Sequence, residues 1–263
     1  MREISWVLAG TGFIFAMTTL GAAMVFFFGK NMKPIYQTIF LGFAAGVMIA
    51  ASVFGLLVPA IDNATSSGSI GWLPAAIGFV LGVLFLLGLD KTIPHLHPNL
   101  NLREGPPSSA KRSTLLVFAV TLHNIPEGMA VGLSFALAAQ NPADTSLYFA
   151  AIALALGIGI QNFPEGAAVS LPLRQEGMKK SRAFTIGMLS GVVEPLFGFL
   201  MVFLASFIQP IMPYMLSFAA GAMLYVVVEE LIPEAHLGEH SNIGTISVMA
   251  GFLLMMILDV ALS

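Results

Sequence analysis

Two phrases of this chain carry side chains that can do chemistry. Residues 123–134 read HNIPEGMAVGLS and residues 161–172 read QNFPEGAAVSLP, with seven of the twelve positions identical. Each phrase lies inside a long apolar segment, where an ionised side chain costs roughly 2.5–3.5 kcal/mol on insertion scales. On a helix His123 and Glu127 stand at i and i+4, and Asn124 and Glu127 at i and i+3, so the three share a face. Gln161, Asn162 and Glu165 repeat that geometry. Pro126 and Pro164 each remove a backbone donor and press on the turn before. This predicts freed carbonyls around Leu122 and Ile160. Gly128 and Gly166 let a neighbouring helix or an ion approach closely. Imidazole, amides, carboxylates and loose carbonyls on a kinked helix pair describe a metal-cation site. The alternative is a pair of kinked helices whose protonated glutamates bond to each other, and the duplication weighs against it.

The elements that must position these residues follow from composition. The chain is 57 % hydrophobic and 10 % charged, with mean hydropathy +0.89, where a soluble domain carries about 25 % charged residues. An all-α integral membrane protein is expected, a single polytopic domain over 1–263. Spans need about 20 apolar residues. Eight are predicted, at 4–28, 36–61, 71–90, 114–139, 146–173, 183–208, 211–235 and 243–262. The run from Ile4 to Phe28 reads as the first span, too long for a cleaved signal. Net charge −3 points away from nucleic acid, and the absence of cysteine excludes thiolate ligands. Ten of the eleven basic residues fall in the first, third and fifth loops. The positive-inside rule then puts both termini outside a plasma membrane.

A wider repeat runs through the spans. Span two holds Phe43-Ala44-Ala45-Gly46 and then Met48, and span seven holds Phe218-Ala219-Ala220-Gly221 and then Met223. Span three has Gly78-Phe79 and Leu89-Asp90; span eight has Gly251-Phe252 and Leu258-Asp259. Spans 1–3 and 6–8 therefore read as inverted repeats around kinked spans 4 and 5. Counting along the helices puts His123, Glu127, Gln161 and Glu165 within about 6–8 Å of the midplane. Span six adds Glu194, followed by Pro195, near its centre. Three carboxylates at that depth repel one another unless protons or a cation lie among them.

Other polar residues cluster near span ends. Asp62 and Asp259 form either an acidic entrance or two ordinary solvated helix ends. Glu229, Glu230, Glu234 and His236, with Glu239 and His240 beyond, read as an exit path, with a surface charge cluster as the alternative. The Pro- and Ser-rich loop 91–113 is expected to be disordered. Its His95 and His97 either hold metal in passing or belong to a solvated tail. Met48 alone reads as packing.

At HNIPEG and QNFPEG the chain resembles the ZIP (Zrt/Irt-like) family of divalent metal transporters, and its GufA-like bacterial branch above all. The resemblance implies a mid-membrane transport site lined by His123, Asn124, Glu127, Gln161, Asn162, Glu165 and Glu194. In relatives such a site can be binuclear. Glu127 and Glu165 would bridge, His123 and Gln161 would complete one position, and Asn124, Asn162 and Glu194 the other. Met48 would lie beside the metal, Asp62 and Asp259 would match an outer acidic pair, and Glu230 would begin the inner path. The resemblance also implies a homodimer in which spans one, four, five and six move as a unit against the other four. Gln161 and Asn162 depart from relatives that carry His and Asp there, so the ligand set suits Zn²⁺, Fe²⁺, Mn²⁺ and Cd²⁺ without separating them strongly. No cofactor is implied, the metal being cargo.

Two other function classes fit less well. An intramembrane metallohydrolase would need an H-E-x-x-H or a general base apart from the ligands, and neither is present. A proton- or sodium-coupled carrier of an organic solute would need aromatic or Arg side chains facing a roomy cavity, and the central spans offer none. The expectation is a secondary transporter and not an enzyme.

Overall fold

A computed structural model describes residues 2–27, 34–92, 95–97, 102–104, 112–175, 177–207, 211–235 and 242–262. In chain order the helices are α1 (Arg2–Ala23), α2 (Pro34–Ala50), α3 (Val58–Ser66), α4 (Trp72–Thr92), α5 (Arg112–Gln140) and α6 (Ser146–Gln175). They continue as α7 (Lys180–Ser190), α8 (Val193–Phe207), α9 (Met212–Val226), α10 (Ile232–Ala235) and α11 (Asn242–Leu262). Seven stretches among the described residues are long and apolar enough to cross a membrane. The segment expected as the fourth span forms the continuous helix α5, with Pro126 inside it. Pro164 and Pro172 likewise lie within α6 without ending it.

Four features differ from the reading of the sequence. The second span continues past residue 61 to Ser66, and its middle, Ala51–Leu57, is π-helical. The seventh carries a matching π-helical stretch at Val227–Leu231. The sixth is broken between α7 and α8. There Pro195 has no N–H to give the Gly191 carbonyl, and the Glu194 N–H takes that carbonyl instead at 3.1 Å. In the third loop, where no regular structure was expected, His95–His97 pairs antiparallel with Leu102–Glu104.

Small residues decide which helices meet. A Cβ on Gly46 would strike the Val248 carbonyl, and one on Gly251 the Phe43 carbonyl, so α2 and α11 touch backbone to backbone. Gly82 against the Phe218 carbonyl and Gly221 against the Phe79 carbonyl join α4 to α9 in the same way. Close backbone approach over small residues is how membrane helices gain contact when lipid offers no hydrophobic drive. The Tyr225 hydroxyl adds a 2.9 Å hydrogen bond to Asp90 between α9 and α4.

A second group of helices packs by the same rule. Gly166 on α6 meets the Thr18 carbonyl of α1, and Gly128 on α5 meets the Glu194 carbonyl of α8. Side chains, by contrast, meet between the two groups: Gly55 faces the Leu154 side chain and Gly157 the Met255 sulfur. At one end Trp6 stacks on Phe135 and tilts against Tyr148, tying the start of α1 to the end of α5 and the start of α6. At the other end Lys180 Nζ donates to the Phe26 carbonyl at 3.0 Å. The outer faces of α4, α8 and α11 expose Leu84, Phe203 and Leu253, among others. Such faces suit hydrocarbon and not water.

Candidate metal centre

The Pro-Glu-Gly phrases bring their polar side chains together in the interior. Asn124, Glu127, Gln161, Asn162 and Glu194 are fully buried, and Glu165 nearly so. Glu127 interacts electrostatically with both Glu165 and Glu194. The side chain of His123 lies outside the described residues; its backbone is part of α5. Met48 is fully buried in the apolar core.

Each amide has its donor end tied down. Gln161 Nε2 donates to Glu127 Oε1 at 2.6 Å. Asn162 Nδ2 donates to Thr18 Oγ1 at 3.1 Å. Asn124 Nδ2 donates to the Ser190 carbonyl at 3.0 Å. That last acceptor is a product of the break in the sixth span. In an unbroken helix the Ser190 carbonyl would take the Glu194 N–H, which instead bonds to Gly191. A carbonyl freed by a proline is thus also found on a third helix.

With the donors committed, the acceptors stand unpaired. Asn124 Oδ1, Glu127 Oε2, Gln161 Oε1, Asn162 Oδ1, both Glu165 oxygens and Glu194 Oε2 are buried with no hydrogen-bond partner among the described residues. Thr19, Ser52, Ser134 and Ser170 hydroxyls are also without one, but a hydroxyl can turn its proton onto its own helix. Amide and ionised carboxylate oxygens only accept. Leaving one buried and unmet costs about 1–3 kcal/mol, more when charged. Seven such oxygens on six neighbouring residues are what a cation needs and what a folded core otherwise avoids. Among the described residues no three His, Cys, Asp or Glu groups converge as a metal site; the unpaired acceptors are amide and carboxylate oxygens together.

The sequence alone missed Thr18. Its hydroxyl donates to Glu194 Oε1 at 2.8 Å while accepting from Asn162. A threonine in an apolar helix ordinarily satisfies itself on the carbonyl four residues back, as Thr11 and Thr121 do, so nothing local marked this one.

The other expected sites lie away from the cluster. Asp62 is exposed on α3 and Asp259 is half-buried on α11. Glu229 is half-buried and Glu230 buried, both on the π-helical stretch that follows α9. His236, Glu239 and His240 lie outside the described residues, as do the side chains of Glu234, His95 and His97. Asp62→Asn is expected to slow metal uptake chiefly at low metal concentration and low salt, because an exposed charge acts by steering. Equal loss across all concentrations, measured as initial uptake rates, would assign Asp62 a structural part instead.

Comparison with known proteins shows what the chain is similar to. The family model described as ZIP Zinc transporter matches residues 101–259. The chain is 38 % identical to human "Zinc transporter ZIP11", the alignment covering 97 % of this chain and 96 % of that protein. It is 40 % identical to "Zinc transporter ZIPB" of Bordetella bronchiseptica over 99 % of this chain and 82 % of the relative. It is 38 % identical to "Zinc transporter GufA" of Myxococcus xanthus over 98 % of both.

Proposed function

The chain belongs to the ZIP zinc transporter family, and from that premise we propose that it imports divalent transition metal, zinc foremost, through the buried cluster at Glu127. It is a multi-pass membrane protein and not an enzyme. The observation that carries the proposal is the set of seven acceptor oxygens with no hydrogen-bond partner among the described residues. Their number and chemistry suit a borderline cation, and the absence of sulfur other than methionine leaves Fe²⁺, Mn²⁺ and Cd²⁺ as further cargo.

The family resemblance adds two metal positions to this reading. Glu127 and Glu165 would bridge them, with Gln161 and His123 on one side and Asn124, Asn162 and Glu194 on the other. Eight spans in inverted repeats belong to the reading. In its favour, Gly46 and Gly221 make equivalent backbone contacts. So do the two Pro-Glu-Gly glycines, and the π-helical stretches follow the two Phe-Ala-Ala-Gly phrases at similar distance. Alternating access is supported by the packing. Glycine crossings pair span one with five and four with six, and likewise two with eight and three with seven; the Thr18–Glu194 and Gln161–Glu127 hydrogen bonds tie the first two pairs together. The seam between the bodies is formed by side chains such as Leu154 and Met255, a surface that can slide. Insertion in the plasma membrane with both termini outside, and a homodimer, complete the proposal; they rest on charge placement and on the family pattern.

The test is zinc uptake into proteoliposomes of purified protein, read by an enclosed fluorescent chelator. Absence of flux above protein-free vesicles sinks the proposal. Glu194→Gln is expected to lower flux only severalfold while changing the preference among Zn²⁺, Cd²⁺ and Mn²⁺. A selectivity profile identical to the wild type would remove the second metal position.

A further inference from the structure

We propose that Thr18, on a helix contributing no ligand of its own, is the positioning residue that aims two metal-binding oxygens of the second position. The inference rests on the metal-site reading above and deepens it.

The hydroxyl of Thr18 is fully buried and has more claimants than protons. Asn162 Nδ2 donates to Thr18 Oγ1 at 3.1 Å. The single hydroxyl proton is within reach of Glu194 Oε1 at 2.8 Å and of the Ile14 carbonyl at 3.2 Å. The shorter contact goes to the stronger acceptor, since a hydrogen bond to a carboxylate is about twice as strong as a neutral one. One oxygen atom therefore contacts two side chains, the Asn162 amide reaching also the Ile14 carbonyl at 3.5 Å. Holding Glu194 by Oε1 leaves Oε2 unpaired, and holding Asn162 by its nitrogen leaves Oδ1 unpaired. Both unpaired oxygens belong to the position that Asn124 completes. Asn124 is anchored separately by the Ser190 carbonyl.

The station of Thr18 in the fold gives a second reason. Its carbonyl packs on Gly166 of one Pro-Glu-Gly phrase, as the Glu194 carbonyl packs on Gly128 of the other. The two residues thus occupy matching places in the two halves, and they meet across the middle. A carboxyl group at both places would add a fourth to three already buried together. A hydroxyl instead supplies the donor that the remaining carboxylate lacks. Space around it is tight: a Cβ on Gly191 would press on Thr18 Cγ2 and on Glu194 Oε1 at 2.9 and 3.0 Å.

Outer partners of metal ligands change affinity by about 10–100-fold when removed. Thr18→Val, which keeps the shape and deletes the hydroxyl, is expected to raise the zinc concentration for half-maximal uptake about tenfold. The maximal rate should stay within about twofold, because the bridging carboxylates are untouched. Thr18→Ser restores the hydroxyl and should return half-saturation to the wild-type value. Adding Thr18→Val to Glu194→Gln should cost less than the same change in the wild type, since its main acceptor is altered. Should the valine variant not be recovered folded, Thr18→Ala against Thr18→Ser makes the same comparison. Unchanged half-saturation in the hydroxyl-free variant overturns the inference. So does a serine variant impaired as much as valine, which would mean that only the methyl packing matters. Glu127→Gln, assayed alongside, separates the two layers: if it transports normally the site reading itself fails, and if it is inactive while Thr18→Val is unaffected only the role of Thr18 falls.

Discussion

Replacing Glu127 by alanine is expected to abolish zinc flux, by at least about 100-fold, while leaving the thermal stability of the metal-free protein in detergent unchanged or slightly higher. The two halves of that expectation come from opposing terms. Removing an outer partner of a ligand already costs 10–100-fold in affinity, and Glu127 is proposed as a charged bridge between both metals. On the other side, Glu127 is fully buried beside Glu165 and Glu194, so its removal lifts the cost of burying a third carboxyl group there. Against that relief stands the 2.6 Å bond from Gln161 Nε2, whose loss strands a buried donor at about 1–3 kcal/mol. The two terms are of similar size and opposite sign, so stability moves little while transport disappears. A structural glutamate would behave the other way, losing stability and flux together. Wild-type flux from Glu127→Ala, measured per folded protein, would remove the cluster from the transport route.

How much of this was legible in the chain depends on the range of the signal. The duplicated phrase marked the buried polar cluster because its geometry is local: i, i+3 and i+4 neighbours on one helix need no knowledge of the rest. The helical class followed from hydropathy for the same reason. The break at Gly191 left a trace in Gly191-Val192-Val193-Glu194-Pro195, but proline inside a membrane helix has two outcomes. Pro126 and Pro164 are absorbed, whereas Pro195 ends a helix. Which occurs depends on whether a neighbour accepts the altered backbone, and here the Asn124 amide takes up the Ser190 carbonyl. Thr18 was invisible because its partners lie 144 and 176 residues away. The π-helical stretches at Ala51–Leu57 and Val227–Leu231 carry no residue type that marks them. Glu230 in the latter is buried, which composition would not have chosen for a residue near a span end.

The second large effect is expected from a residue with no side chain. Gly128→Ala should reduce zinc flux more than tenfold, and it should do so by moving Glu194 and not by touching a ligand directly. A Cβ at position 128 would overlap the Glu194 carbonyl oxygen, with the Glu194 Cα at 2.6 Å. Neither is the end of a flexible chain that can swing aside, so α8 must back away from α5. Forcing one extra carbon into a packed interior costs about 1–3 kcal/mol, enough to weaken the variant without necessarily unfolding it. The functional loss is larger than that because geometry amplifies it. Glu194 and Asn124 are held on opposite sides of this contact, the one through its own backbone and the other through Ser190 just before the break. A shift of α8 therefore separates the ligands of one position. Gly166→Ala makes the mirror test, since its Cβ would meet the Thr18 carbonyl and push α1, with its hydroxyl, off Glu194. Gly12→Ala, where nothing lies within 4 Å, supplies the control for inserting a methyl group into a membrane helix. Purified variants assayed for melting temperature and for zinc uptake give the answer. Flux in Gly128→Ala falling no further than in Gly12→Ala would mean that α5 and α8 need not touch for the metal to pass. The cluster would then have to be assembled by forces other than the close approach of these two backbones.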